Sequence, residues 1–151
     1  MLRWATLAGV AALVAAGGWI WSQGTAEGGR LPYDDADAVA RGAALYEEYC
    51  ASCHGADLEG EPDWRTRLPS GLMPAPPHNE TGHTWHHPTE QLFLLTKHGV
   101  AEMVGGGYES AMPGFGDVLS DQQIREVLAF IKSTWPAEVI RRHDQMNEAA
   151  R

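Results

Sequence analysis

Lysine is scarce in this sequence, and acidic residues outnumber basic ones. Of 151 residues, only Lys97 and Lys132 are lysines, and the formal net charge is −9. So acidic a chain is repelled by phosphate backbones and anionic lipid headgroups. We therefore expect no nucleic-acid binding and no adsorption to an anionic membrane surface, whereas the acidic side chains can steer encounters with a basic protein partner.

Cysteine is limited to two residues, Cys50 and Cys53. A disulfide between them would close so small a ring that it would remove little conformational entropy from the unfolded chain. A structural disulfide is therefore a poor explanation for the pair, and the two thiols need another purpose.

Internal repeats and strand-like alternation of polar and apolar residues are also missing. At 151 residues, the chain is long enough to bury one core of ordinary size but not two. Apolar residues recur instead at the spacing of three or four that is typical of helices. We therefore expect a single domain of the all-α class.

Three segments carry helix signals. Asp34 or Asp35 can cap a first helix, which runs with apolar residues on one side into Cys50. A short helix is expected over 88–98, and a capping box at Ser120 begins another. The last of these is expected to bury Ile124, Val127, Leu128 and Ile131.

Two segments between these helices have no helical period. The stretch 56–87 is rich in glycine, proline and polar residues, and 100–119 contains a glycine triplet and a second set of turn residues. We expect both to be loops. A loop as long as the first is unusual in a compact domain and normally wraps a ligand or performs a function.

An uncharged apolar run from Trp4 to Trp21 follows Arg3. Its length suits a membrane span, and the leading arginine orients that end inside the cell and the remainder outside. Cleavage after the small residues Gly24 and Ala26 is the alternative, and would leave a soluble periplasmic domain. The predicted division is 1–21 signal-anchor or transmembrane helix, 22–33 flexible linker, 34–135 domain on the outer side of the cytoplasmic membrane, and 136–151 polar C-terminal helix or tail.

The stretch "CASCHG" places Cys50, Cys53 and His54 within five residues. A redox dithiol would need its thiols at a helix N-terminus in a strand–helix context, but these thiols follow a helix. A zinc site would need two further ligands, which only loop histidines could supply. Covalent haem attachment uses both thiols and places the imidazole on the iron, and an export segment agrees with it. Haem attachment is the favoured interpretation.

With these residues the sequence resembles the class I c-type cytochromes, over about residues 34–135. In that family a helix with a glycine and an aromatic residue crosses a C-terminal helix with an aliphatic and an aromatic residue. Gly42 and Tyr46, with Val127 and Phe130, match this pattern. The resemblance implies the all-α cytochrome c fold, with three to four core helices wrapped around one covalently bound haem c.

The resemblance also implies a methionine as the second axial ligand of the iron, opposite His54. Met112 lies in "AMPGFG", the methionine–proline context typical of that ligand, whereas Met103 lacks this context and is the second choice. In the family a proline carbonyl accepts the other ring N–H of the axial histidine. The candidates for that role are Pro74, Pro76 and Pro77.

The long loop also contains four histidines within ten residues, in "HNETGHTWHH". His83, His86 and His87, with His78 nearby, could bind copper or zinc as an additional metal site. The alternative is that these rings bond haem propionates or backbone carbonyls, or face solvent. Further candidates for propionate contacts in this loop are Trp64, Arg65, Arg67 and Trp85.

Axial coordination by histidine and methionine implies one-electron transfer, because it leaves no open position on the iron and raises the reduction potential. We therefore predict a membrane-tethered electron carrier and not an enzyme. Its expected donor is a membrane dehydrogenase or a cytochrome bc-type complex, and its expected acceptor an oxidase or reductase. The alternatives are a peroxidase-like haem site, if Met112 is not a ligand, and a haem- or copper-handling protein that uses the His78–His87 cluster.

Overall fold

The computed structural model describes residues 30–150, and all regular structure in this range is helical. No strand forms between those residues, as the all-α prediction requires. The helices are α1 (Ala36–Tyr49), α2 (Ala51–His54), α3 (Thr89–His98), α4 (Val100–Val104), α5 (Asp121–Ser133) and α6 (Ala137–Ala149), with a single 3-10 turn at Thr84–His86.

Helix α1 begins at the second of its two candidate caps. The side chain of Asp35 accepts hydrogen bonds from the backbone N–H groups of Asp37 and Ala38, at 2.9 and 3.1 Å. The helix ends at Tyr49, and Cys50 separates it from α2, which adds one further turn. The first thiol therefore lies at the junction of a long helix and a short one.

Helices α1 and α5 cross at the predicted glycine. A Cβ atom on Gly42 would lie 2.0 Å from the carbonyl oxygen of Glu126, so the two backbones touch where a side chain is missing. Beside this contact the rings of Tyr46 and Phe130 lie 5.4 Å apart, within the range of a favourable aromatic pair. Arg41 on α1 also forms an ion pair with the carboxylate of Glu126 on α5, at 2.8 Å. The crossing expected from the sequence is confirmed.

The apolar face of α5 forms the centre of the core. Its capping box is present, because Ser120 and Gln123 exchange side-chain and backbone hydrogen bonds. The residues expected to be buried on this helix are indeed buried: Ile124, Val127, Leu128 and Ile131.

The prediction of an uninterrupted loop over 100–119 was wrong at its start. Helix α4 begins directly after Gly99, whose φ of +84° lets the chain turn into a second helix without an intervening loop. Gly105, also at positive φ, ends this helix after five residues. A run of five residues is too short for apolar periodicity to identify a helix.

The packed domain extends back to Leu31, which is buried. Residues 1–29 are outside the described range, and so therefore is the predicted anchor at 1–21. Among the helices of residues 30–150, none is long and apolar enough to span a bilayer.

We predict that Gly42→Val destabilises the folded protein by about 1–3 kcal/mol, the usual cost of forcing extra atoms into a packed contact. The new side chain would collide with the Glu126 backbone and push α1 away from α5. Urea unfolding of the haem-loaded protein measures the change. Ala44→Val, on an exposed part of the same helix, is the matched control and should cost no more than about 0.7 kcal/mol. Equal losses in the two variants would contradict the close contact.

Candidate haem site

The two thiols and the imidazole share one helical turn. The backbone N–H groups of Cys53 and His54 both bond to the carbonyl of Cys50, at 3.1 and 2.9 Å. Gly55 ends the turn at a φ of +81°, and its carbonyl accepts a bond of 2.8 Å from the hydroxyl of Tyr46. His54 is buried, Cys50 half-buried and Cys53 exposed. The turn is thus fixed at both ends by the α1–α5 core.

The ring of His54 is held by a backbone carbonyl. Its Nδ1 atom lies 2.8 Å from the carbonyl oxygen of Pro76, so Nδ1 carries the proton and Nε2 keeps its lone pair. Burial lowers the pKa of His54, which also favours the neutral ring that a metal needs. Of the three candidate prolines, the structure selects Pro76 for this contact.

A second histidine, His78, lies against His54. This contact was not predicted from the sequence. The rings of His54 and His78 are stacked, with centroids 3.9 Å apart and planes 22° apart. The Nδ1 atom of His78 lies 2.8 Å from the hydroxyl oxygen of Thr84. His78 lies two residues after Pro76 in the sequence, but no pattern of residues distinguishes it from the three histidines that follow.

The surroundings of Cys50 and Cys53 argue against the other two interpretations of the motif, a redox dithiol and a zinc site. Burial, and then the neighbouring Cys53, raise the pKa of Cys50 to about 11. A redox-active dithiol needs a thiol with a lowered pKa, so the raised pKa of Cys50 disfavours this interpretation. A zinc site is also disfavoured, because residues 30–150 contain no group of three or more histidine, cysteine, aspartate or glutamate side chains placed to hold a metal ion. The donors that are present, two free thiols and one oriented imidazole, fit covalent haem attachment.

The loop that carries Met112 is fixed to the end of α3. The backbone N–H groups of Phe115 and Gly116 bond to the carbonyls of Thr96 and Lys97, each at 2.9 Å. This approach depends on glycine, because a Cβ on residue 114 would lie 2.7 Å from the backbone of α3. Met112 is half-buried and directly precedes this anchored segment. Its role as an iron ligand stays a prediction.

The histidine-rich segment does not gather all three predicted metal ligands. His83 stacks on Trp64 at 5.1 Å and meets the edge of His87 at 5.3 Å. His86 instead stacks on Trp85, with centroids 3.7 Å apart. The structure therefore pairs His83 with His87 and leaves His86 on a different aromatic neighbour. The additional metal site remains a hypothesis.

The side chains proposed to contact the haem propionates bind other groups of the long loop. The guanidinium of Arg65 lies 4.1 Å above the ring of Trp64. Arg67 donates a bond of 2.7 Å to the carbonyl of Gly71, and the indole N–H of Trp85 donates one of 3.2 Å to the carbonyl of Glu80. These contacts order the long loop from within.

The same loop is also held by the C-terminal part of the chain. The indole N–H of Trp135 donates to the carbonyl of His78 at 2.7 Å. On α6, the Nε2 atom of His143 donates to the carbonyl of His87 at 3.1 Å. The side chain of Asn147 accepts from the backbone N–H of Thr89, the first residue of α3, at 2.7 Å. The C-terminal part of the chain therefore holds the end of the long loop in place through these three hydrogen bonds.

Helix α6 is itself anchored by a charged pair. The ammonium of Lys132, which is buried, bonds the carboxylate of Asp144 at 2.5 Å, and Tyr33 donates to the same carboxylate at 3.0 Å. Partial burial alone would raise the pKa of Asp144, but the hydrogen bond and the charge of Lys132, together with the bond from Tyr33, lower the pKa overall. The pair joins α5, α6 and the start of the domain.

The crossing helices, the CASCHG turn and the histidine held by a proline carbonyl define a class I c-type cytochrome. Comparison with known families agrees with this class. The family described as cytochrome c oxidase, cbb3-type, subunit III matches residues 37–131, more than half of the chain. The chain belongs to this family.

Individual relatives cover a similar region. The FixP subunit of the cbb3-type cytochrome c oxidase of Sinorhizobium medicae is 28% identical over 97 residues, 64% of this chain and 30% of FixP. The cytochrome c subunit of gluconate 2-dehydrogenase of Pantoea cypripedii is 32% identical over 100 residues, 66% of this chain and 21% of that subunit. Cytochrome c-555 of Prosthecochloris aestuarii is 31% identical over 67 residues, 40% of this chain and 68% of that protein. The chain thus spans less than a third of the length of the first two relatives, and no solved structure matches it.

We predict that His143→Gln makes the stability of the protein less dependent on pH. Burial, and then the nearby Lys132, lower the pKa of His143 from 6.5 to about 4. Between about pH 6.5 and pH 4 the unfolded chain therefore binds a proton that the folded chain does not. The free energy of unfolding falls as the pH drops through this window, by about 3 kcal/mol at most.

Glutamine retains an N–H donor for the His87 carbonyl but does not titrate, so the variant should lose this component of the slope. Urea unfolding of the haem-loaded protein at several pH values between 4 and 7 measures it. His86→Gln, on an exposed ring, is the control and should keep the slope of the wild type. If the free energy of unfolding depends on pH equally in His143→Gln and in the wild type, the buried neutral ring of His143 is not the cause of the pH dependence.

Proposed function

We propose that the chain is a one-electron carrier and not an enzyme. One haem c is bound covalently through Cys50 and Cys53, with His54 and Met112 as axial ligands. The observation that carries the proposal is the 2.8 Å bond between His54 Nδ1 and the Pro76 carbonyl, since a ring held in this way offers only Nε2 to a metal. Membership of a cytochrome c family supports the choice of haem c.

The haem, when bound, supplies a one-electron ferric–ferrous couple. The protein residues determine what this couple can do. His54 would bind the iron with its ring held in a fixed orientation, and the thioether of Met112 would be the second ligand and would favour the reduced state. With both residues bound, the iron would offer no free site to oxygen or peroxide. Outer-sphere electron transfer is the chemistry that this ligand set leaves.

The exposed acidic residues around the attachment turn favour a basic partner. The segment from 47 to 63, which contains the motif, has six carboxylates and no lysine or arginine. Exposed charges of one sign speed the encounter with a protein of opposite charge. We propose a membrane dehydrogenase or cytochrome bc-type complex as donor and an oxidase or reductase as acceptor, each with a basic docking surface. The six exposed carboxylates are Glu47, Glu48, Asp57, Glu59, Glu61 and Asp63.

Two relatives are named as subunits of an oxidase and of a dehydrogenase, which supports a place in respiratory-type electron transfer. The apolar run 4–21 supports a membrane anchor, with the haem domain on the outer side of the cytoplasmic membrane. An anchored carrier would meet membrane-bound partners at a raised effective concentration.

We predict that Met112→Ala abolishes the sulfur-to-iron charge-transfer band near the red end of the ferric spectrum and lowers the reduction potential, because the thioether is lost. Met103→Leu is the matched control and should keep both properties. Absorption spectroscopy and redox titration measure the effects. The haem should stay on the chain during denaturing electrophoresis in both variants, because the thioether bonds to Cys50 and Cys53 are intact.

The same experiment separates the proposal from its rivals. A wild-type protein without the charge-transfer band would contradict ligation by Met112 and would favour the peroxidase-like alternative with an open iron. Loss of the band in Met103→Leu alone would transfer the ligand role to Met103. Haem that is released by denaturation would contradict covalent attachment.

We predict that the protein made with its own residues 1–21 is found in the membrane fraction. When a cleavable export signal replaces this segment, the haem domain should move to the soluble periplasmic fraction with an unchanged spectrum. Fractionation and N-terminal sequencing of the purified protein measure the result. A wild-type protein that is soluble and begins after Ala26 would contradict the anchor.

A further inference from the structure

The stacked histidine behind His54 has no role in the function proposed so far. The segment around His78 is held by three contacts from different parts of the chain. Its backbone N–H donates to the carbonyl of Leu58 at 2.8 Å, and its own carbonyl accepts from the indole of Trp135 at 2.7 Å. Its ring bonds the hydroxyl of Thr84 at 2.8 Å. So firmly held a ring is a rigid surface for whatever lies against it.

Thr84 holds the ring of His78 from the side that carries Nδ1. Thr84 is buried, and its hydroxyl donates to the carbonyl of Pro77 at 3.4 Å. The same hydroxyl oxygen lies 2.8 Å from the Nδ1 atom of His78, so a buried side chain holds the ring at its Nδ1 edge. A ring held at this edge presents a fixed face to its neighbour His54.

The position of His78 complements the bond between His54 and Pro76. That bond restrains the direction of the Nδ1–H group of His54, but hydrogen bonds tolerate tens of degrees of misalignment before they weaken steeply. The ring of His78 covers one face of His54 at a centroid distance of 3.9 Å. Rotation of His54 out of its plane toward that face would drive the two rings into each other. The two contacts together fix the plane of the ring.

We propose that His78 is a positioning residue for the axial histidine: its ring fixes the orientation of the His54 plane about the bond to iron and keeps water from that face. The inference rests on the proposed haem ligation, and it adds a residue that the attachment motif does not contain. Partners of a ligating histidine set its orientation and its basicity, and so tune the metal. The half-buried ring of His78 serves here through its face and not through a hydrogen bond to the ligand.

The test compares His78→Leu with His78→Phe in the haem-loaded protein. Leucine removes the flat face, whereas phenylalanine keeps a ring of similar size in the same place. In His78→Leu we expect altered ferric electron-resonance g values, a changed order of the haem methyl shifts in proton magnetic resonance, and a lower reduction potential, since water can approach the His54 face. His78→Phe should recover most of the wild-type pattern in all three measurements.

A second stacked histidine provides the control. His86 lies on Trp85 at 3.7 Å, in the same loop but against a different neighbour, so His86→Leu should leave all three measurements unchanged. Thermal unfolding of each variant shows whether a change reflects general loss of structure. The inference is overturned if His78→Leu matches the wild type, or if His78→Phe departs from it as far as His78→Leu does.

A measurement on the wild type keeps the inference testable should His78→Leu fail to accumulate. In the reduced, diamagnetic protein, ring protons of His54 and His78 at this distance should give direct nuclear Overhauser contacts. Their absence would overturn the stacking. A wild-type protein that shows no low-spin histidine-ligated iron would instead overturn the proposed function, which the His78 variants do not address.

Discussion

The close approach of α1 and α5 at Gly42 determines where the attachment turn lies. A side chain at that position would collide with the carbonyl of Glu126, so the contact depends on glycine. The approach brings Tyr46 against Phe130, and the Tyr46 hydroxyl then reaches the carbonyl of Gly55 at the end of the turn. One helix crossing therefore sets the direction in which the two thiols and the imidazole leave α1.

The features that could be predicted from the sequence are those that depend on local chemistry. The cap at Asp35, the capping box at Ser120 and the apolar face of α5 each follow from residues a few positions apart, and all are present. The crossing at Gly42 was predicted from the resemblance to the class I c-type cytochromes, in which a glycine and an aromatic residue lie on the helix that crosses the C-terminal helix. Helix α4 was missed, because its five residues are too few to display a period.

Long-range contacts within the irregular loop could not be predicted in the same way. Three prolines were equivalent candidates for the His54 bond, and only the path of the backbone singles out Pro76. Likewise, the composition of the loop gave no reason to separate His78 from the three histidines that follow it. Part of the difference arises from contacts with distant residues, which no local pattern encodes: Trp135 bonds the carbonyl of His78, Trp64 stacks on His83, and His143 bonds the carbonyl of His87.

Three of the distant contacts to this loop come from outside the region that the family model matches. The family match ends at residue 131, whereas the groups that hold the loop lie on Trp135, His143 and Asn147. Each of them bonds a backbone group of the segment 78–89, so the histidine-rich loop and α6 form one structural unit. Because the Trp135 bond fixes the backbone of His78, the C-terminal segment reaches the face of the axial histidine through a single residue. A change in the C-terminal segment should therefore alter the packing around His54. It would act by moving the backbone of His78, and it would need no direct contact between the C-terminal segment and His54.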